Sequence, residues 1–120
     1  MSGKISTLSI LIPAYNEENT ILRILDKVSK VILINDIRKE YIIVNDCSTD
    51  NSEEKIKQYM ADHPALDIRY FLHEKNKGKG AALHTAIANA TGEYLIIQDA
   101  DLEYDPNEYN ILLQPVTDGF

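Results

Sequence analysis

Three apolar runs in this chain end in polar clusters. Leu8 to Ile12 leads into Pro13-Ala14-Tyr15-Asn16-Glu17, and Tyr41 to Val44 into Asn45-Asp46-Cys47-Ser48-Thr49-Asp50. Tyr94-Leu95-Ile96-Ile97 leads through Gln98 into Asp99-Ala100-Asp101, predicting a strand over Glu93 to Gln98. Short continuous apolar runs suit strands covered on both faces. Ile68 to Leu72 alternates only weakly with polar residues, but Pro64 and the Asn76 to Gly80 loop bound it, predicting a further strand.

Between these runs the period becomes helical. Ile21, Ile24, Leu25, Val28, Val31 and Ile32 recur with Arg23, Asp26, Lys27 and Lys30 between them, predicting an amphipathic helix returning to the sheet. Asp50 followed by Glu53 predicts a capping box that opens a second helix through about Met60, burying Ile56, Tyr59 and Met60. Small or apolar residues at Ala82, Leu83, Ala86, Ile87 and Ala90 predict a closely packed third helix from about Gly80 to Thr91. Gly92 follows where a helix-ending residue of positive φ belongs. Strand-helix alternation implies an α/β fold with a mostly parallel sheet and helices on both faces. In such sheets ligands sit at the carboxyl ends of the strands, near a switch point in strand order, and all three polar clusters lie at that end.

The length of 120 residues predicts a single domain over residues 1–120. A net charge of -7 argues against a nucleic-acid partner, because counterion release needs a basic face. Cys47 is the single cysteine, so no internal disulfide forms and nothing indicates an oxidising compartment. No apolar stretch approaches the roughly 18 residues of a membrane span, and no signal-peptide core follows the first residues. A cytoplasmic location is the default expectation.

Asp99 and Asp101 are two apart, so in extended backbone they share a face and can converge on one cation or one hydroxyl-rich ligand. The same pair also fits a solvated turn. Asp46, directly after a strand, can accept hydrogen bonds from base N–H groups or ribose hydroxyls, whereas Ser48 and Asp50 also fit helix capping. Pro13 to Glu17 fits either a binding strand end or a plain turn. Lys77-Gly78-Lys79-Gly80 matches neither the phosphate-loop spacing nor the dinucleotide fingerprint, but a basic glycine turn opening a helix can set amides and a lysine near phosphate. His63, His73 and His84 share no metal-ligand spacing and receive no role.

Taken in order, Ser9 to Glu17, Val44 to Asp50, Asn76-Lys77-Gly78-Lys79-Gly80-Ala81-Ala82 and Gln98-Asp99-Ala100-Asp101-Leu102 closely resemble family 2 glycosyltransferases. The branch most resembled is that of the polyprenyl-phosphate or dolichyl-phosphate mannosyl- and glucosyltransferases. The resemblance implies a three-layer, Rossmann-like GT-A fold and an inverting transfer from a UDP-glucose or GDP-mannose type donor to a polyprenyl phosphate or a saccharide. It implies that Pro13, Ala14, Tyr15, Glu17, Asp46, Lys79, Asp99 and Ala100 bind the donor. Asp99 and Asp101 become the catalytic pair, holding Mg2+ or Mn2+. Cys47 stands where many relatives have Gly, and Asn45 where many have a second Asp. Family members continue into an acceptor-binding half, often with membrane helices, so the resemblance implies a donor-binding half, set at the inner face of a membrane in a longer protein. A nucleotidyltransferase would place a glycine-rich basic loop after the first strand. A receiver domain would place an acidic pair there and a lysine after the fifth.

Overall fold

The computed structural model describes residues 6–99 together with Pro106, Tyr109, Asn110 and Leu113. Strand β1 (Thr7–Ala14) is followed by helix α1 (Ile21–Lys30), a 3-10 turn (Ile34–Asp36) and β2 (Arg38–Asn45). Helix α2 (Ser52–Asp62), β3 (Ile68–Leu72), α3 (Lys79–Asn89) and β4 (Tyr94–Ile97) complete the alternation. The four strands form one parallel sheet in the order β3-β2-β1-β4.

Because strand side chains alternate in direction, β1 and β2 each supply both layers of the core. Leu8, Ile10, Ile12 and Ala14 of β1 join Tyr41 and Ile43 of β2 on one face, under Ile21, Ile24, Leu25 and Val28 of α1 and Ile56 and Tyr59 of α2. Leu11, Ile42 and Val44 face the other way, against Ala82 and Ala86 of α3. The two alanines let α3 lie close to the sheet. The expected three-layer α/β/α arrangement with a parallel sheet is therefore observed.

The order of strands creates the crevice. From the central β1 the chain moves outward through β2 and β3 with α1 and α2 on one face. It then returns over the opposite face through α3 to place β4 on the other side of β1. The connection leaving β1 runs to one face of the sheet and the one entering β4 comes from the other, so a switch point lies between these two strands, where a gap opens at the carboxyl ends.

Several expectations need correction. Helix α1 stops at Lys30, because the Lys39 ammonium donates to the carbonyls of Val28, Ser29 and Val31 at 2.7, 3.0 and 2.7 Å and so takes up the helix end. Val31 is extended, and Ile32, read as part of the apolar stripe, is 87% exposed. The capping box is also absent. Asn51 is the N-cap of α2 without a side-chain bond, Asp50 Oδ1 accepts from the Ser52 amide at 2.9 Å, and Glu53 accepts from the Tyr70 hydroxyl at 2.9 Å instead.

Gly92 is not a positive-φ helix terminus; Gly78 is the glycine with that geometry among the described residues. A Cβ on Gly92 would lie 2.7 Å from both Ser9 Oγ and the Thr7 carbonyl and 2.9 Å from the Ser9 amide nitrogen, so close approach to β1 demands glycine. Beside it, buried Glu40 accepts from Ser9 Oγ at 2.7 Å, the Thr91 amide at 2.9 Å and Thr91 Oγ1 at 2.6 Å. This clasp ties β1, β2 and the α3–β4 connection together at the end of the sheet away from the crevice. In α3, Ile87 is half exposed and does not share the burial of Ala82 and Ala86.

Candidate functional site

Beyond β1 and β2 the two loops are laced together by short side chains. Asn16 has φ 53, a left-handed conformation that Asn tolerates, and its Oδ1 accepts from the Thr49 amide at 2.8 Å. The Asn16 amide donates to Ser48 Oγ at 2.9 Å, the Glu17 amide to Ser52 Oγ at 2.9 Å, and the Glu18 amide to Asp50 Oδ2 at 3.2 Å. Ser48 and Asp50 therefore brace one loop against the other. Asn45 uses both ends of its amide. Its Nδ2 donates to the Tyr70 hydroxyl at 3.0 Å, while its Oδ1 accepts from the Ser48 amide at 3.0 Å.

Cys47 has φ 62, the region where glycine is favoured. This turn lets the chain double back so that Asp46 points inward. The Asp46 carboxylate is buried and accepts three bonds. Oδ1 receives His73 Nδ1 at 2.8 Å and the Lys77 amide at 2.9 Å, and Oδ2 receives the Gly78 amide at 2.8 Å. Burial acts to raise its pKa, but the two amides and His73 outweigh that effect and hold it below the usual carboxylate range.

Gly78, with φ 94, makes the turn from which α3 begins at Lys79. Helix α3 thereby aims its amino end, with its positive dipole, into the gap at the switch point. Lys79 Nζ reaches across to Asp99 Oδ1, 2.6 Å away at the end of β4.

These groups enclose a cavity of about 260 Å³. Pro13 and Ala14 line it from the end of β1, Tyr15 and Glu17 from the turn that follows, Asp46 from just after β2, Lys79 from the start of α3 and Asp99 from just after β4. All seven of these expected site residues are thus brought to one place. Ala100 and Asp101 lie outside the described residues. Asn76, Gly78 and Ala82 also line the cavity. The basic glycine turn pointed to Gly78, whereas Asn76 was given no role and Ala82 read as a packing residue alone.

Sequence reasoning missed His73. Both of its ring nitrogens are engaged, with Nε2 2.8 Å from Thr85 Oγ1. Its one available signal was its place directly after β3, in the same layer of strand ends as Asp46.

Among the described residues there is no group of three or more His, Cys, Asp or Glu that could hold a metal. Asp99 nevertheless offers a carboxylate into the cavity and already faces a cation, the Lys79 ammonium. An anionic oxygen donor of this kind suits Mg2+ or Mn2+, and its fit is to a site shared with substrate oxygens rather than to a full protein cage. No helix among the described residues is long and apolar enough to cross a membrane.

Known proteins resemble this chain in sequence and in fold. The poly-beta-1,6-N-acetyl-D-glucosamine synthase of Staphylococcus epidermidis is 35% identical over 102 residues, which are 85% of this chain and 23% of that protein. The undecaprenyl-phosphate 4-deoxy-4-formamido-L-arabinose transferase of Yersinia enterocolitica is 31% identical over 119 residues, 99% of this chain and 36% of the other. A mannosyltransferase from Pyrobaculum calidifontis, solved in complex with GDP-Man and Mn2+, superposes with a TM-score of 0.76 at 30% identity, covering 88% of this chain and 30% of its own. The chain spans about a quarter to a third of the length of these relatives. The solved neighbours have the GT-A fold expected from the resemblance. Residues 9–120 match the profile of Glycosyl transferase family 2, and the chain belongs to that family.

Proposed function

We propose that this chain binds a nucleotide-diphosphate sugar, of UDP-glucose or GDP-mannose type, as the donor-binding part of an inverting, metal-dependent glycosyltransferase. The observation that carries the reading is the convergence of residues from four different elements on one cavity at the switch point, with an acid, a lysine and a helix amino end facing each other across it. Tyr15 is 44% exposed there and offers a ring face to a nucleoside. Asp46 has one lone pair on Oδ2 beyond its three bonds, available to a base N–H or a ribose hydroxyl. Lys79 and the amino end of α3 suit a diphosphate.

In the transfer, an acceptor oxygen forms a bond to the anomeric carbon as the bond to the nucleoside diphosphate breaks, and the electron pair leaves with the diphosphate. Lys79 and the α3 dipole stabilise that developing charge. Asp99 together with Asp101 would hold a divalent metal, which would supply Lewis-acid stabilisation to the same leaving group. The relatives named above include an enzyme acting with undecaprenyl phosphate and a polysaccharide synthase, which supports a polyprenyl phosphate or a saccharide as acceptor. A lipid phosphate brings an ionised oxygen, whereas a sugar hydroxyl needs a general base. Family membership favours sugar transfer over both the nucleotidyltransferase and the receiver readings.

Calorimetry with UDP and GDP, each with and without Mn2+, tests this reading. Binding of at least one nucleotide that weakens markedly in EDTA is expected. Equal affinity in EDTA would remove the metal role, and no binding of either nucleotide under any condition would overturn the donor assignment.

A further inference from the structure

His73 is 8% exposed and its two ring nitrogens join different layers of the fold. An ionised carboxylate only accepts, so the 2.8 Å contact to Asp46 Oδ1 requires the proton on Nδ1. Nε2 faces the Thr85 hydroxyl on α3, the helix that begins with Lys79. The imidazole therefore spans from the end of β2 to the helix that carries the lysine of the cavity.

Asp46 in turn holds a turn that has few other means of keeping its shape. The amides of Lys77 and Gly78 both end on its carboxylate, with Asn76 Oδ1 as a longer second acceptor for Gly78 at 3.2 Å. The terminal torsion of an aspartate is broad, so one carboxylate can present its oxygens in many planes. Two adjacent amides demand one particular plane, with a different oxygen for each. The His73 donor on Oδ1 supplies a third, side-chain constraint on that plane, and the Thr85 contact holds the ring that delivers it.

We propose that His73 is a positioning residue of the donor site: it locks the carboxylate of Asp46 in the plane that grips the Lys77 and Gly78 amides, and through them sets the entry of Lys79 into the cavity. Its consequence for ligand binding rests on the donor-site reading above, whereas its effect on the turn does not.

Two near-isosteric variants separate this role from simple filling of space. Asn carries its amide nitrogen on Cγ, as His carries Nδ1, so His73→Asn keeps a donor for Asp46. Gln carries its amide one bond further out, toward Thr85, so His73→Gln keeps that contact and gives up the first. Hydrogen exchange of the Lys77 and Gly78 amides, followed by NMR on the whole chain without ligand, should stay close to wild type in His73→Asn. It should accelerate by about tenfold or more in His73→Gln, while the amides of α2 are unchanged in both. Calorimetry with UDP or GDP and Mn2+ should follow the same order, with His73→Gln weakened about tenfold and His73→Asn within about threefold of wild type. In an Asp46→Asn background the Asn and Gln variants should no longer differ. Equal protection in the two variants, greater loss in His73→Asn, or a difference that persists without the Asp46 carboxylate would overturn the proposal. Should wild type bind neither nucleotide, the donor-site reading falls and the exchange measurements alone decide the role of His73 in the turn.

Discussion

Replacing Lys79 with Gln should change metal and nucleotide affinity in opposite directions. The ammonium lies 2.6 Å from Asp99 Oδ1, but the lysine side chain is 59% exposed, so solvent screens the pair. Ion pairs in that setting contribute about 0.5–1 kcal/mol. A cation approaching Asp99 must displace or share that partner, so Lys79→Gln should tighten Mn2+ binding without nucleotide by about two- to fivefold. A diphosphate loses more, because it forfeits a charge-assisted hydrogen bond of about 1.5–3 kcal/mol, or roughly 10- to 150-fold in affinity. Calorimetry resolves the two effects when Mn2+ is titrated alone and the nucleotide is then titrated at saturating Mn2+. The variant must also show wild-type thermal unfolding, which the exposed position of Lys79 predicts. Weaker binding of both ligands, or no change in either, would refute the view that Lys79 faces the metal carboxylate and the diphosphate at the same time.

Gly92→Ala should lower stability by about 2–3 kcal/mol in urea unfolding, since two of the three atoms its Cβ would meet belong to the backbone of central strand β1. Gly92→Asn should be at least as damaging, whereas a left-handed terminus would have tolerated Asn; mild loss in the Asn variant would restore the helix-terminus explanation. Cys47→Gly should change stability by less than about 1 kcal/mol, because relief of a left-handed residue offsets the larger freedom of glycine in the unfolded chain. Its ligand affinity should be unchanged, and a stability loss above that bound would show that the Sγ contact to the Glu74 carbonyl matters more than its 3.4 Å length suggests. For Glu40, Asp46 and Asp50, burial acts to raise the pKa, but hydrogen bonds outweigh it and leave all three below their ordinary values. The folded state then binds fewer protons than the unfolded one, so this stabilisation is complete above about pH 5 and is lost as pH falls through the depressed folded values. Urea midpoints measured from pH 6 down to 3 should fall, and a flat profile would refute the assignment.

The strands, the helices and their layering were legible because each depends on local periodicity. Ile10 and Ile12 belong to one face of a strand, and Ile21, Ile24, Leu25 and Val28 to one stripe of a helix, whatever else surrounds them. The polar strand ends were legible for the same reason, since a parallel sheet gathers them at one edge. Helix ends were less legible. Lys39, which stops α1 at Lys30, acts from the next strand, and Ile32 consequently falls outside the stripe its spacing suggested. Gly92 likewise looked like a terminus because the third helix precedes it, while its real constraint is the backbone of β1.

What only the tertiary structure decided is which strand ends meet. The sequence alone determined that Asp46, Lys79 and Asp99 sit at the same edge, but it left open that β4 inserts beside β1, opposite β2. That insertion brings Asp99 within 2.6 Å of Lys79. The bond from His73 to Asp46 spans 27 residues and appears only once β3 lies beside β2 and α3 closes over them. Neither contact leaves a trace in residue spacing, because each joins elements whose proximity comes from strand order, and strand order is settled by the burial of the whole sheet rather than by any one segment of it.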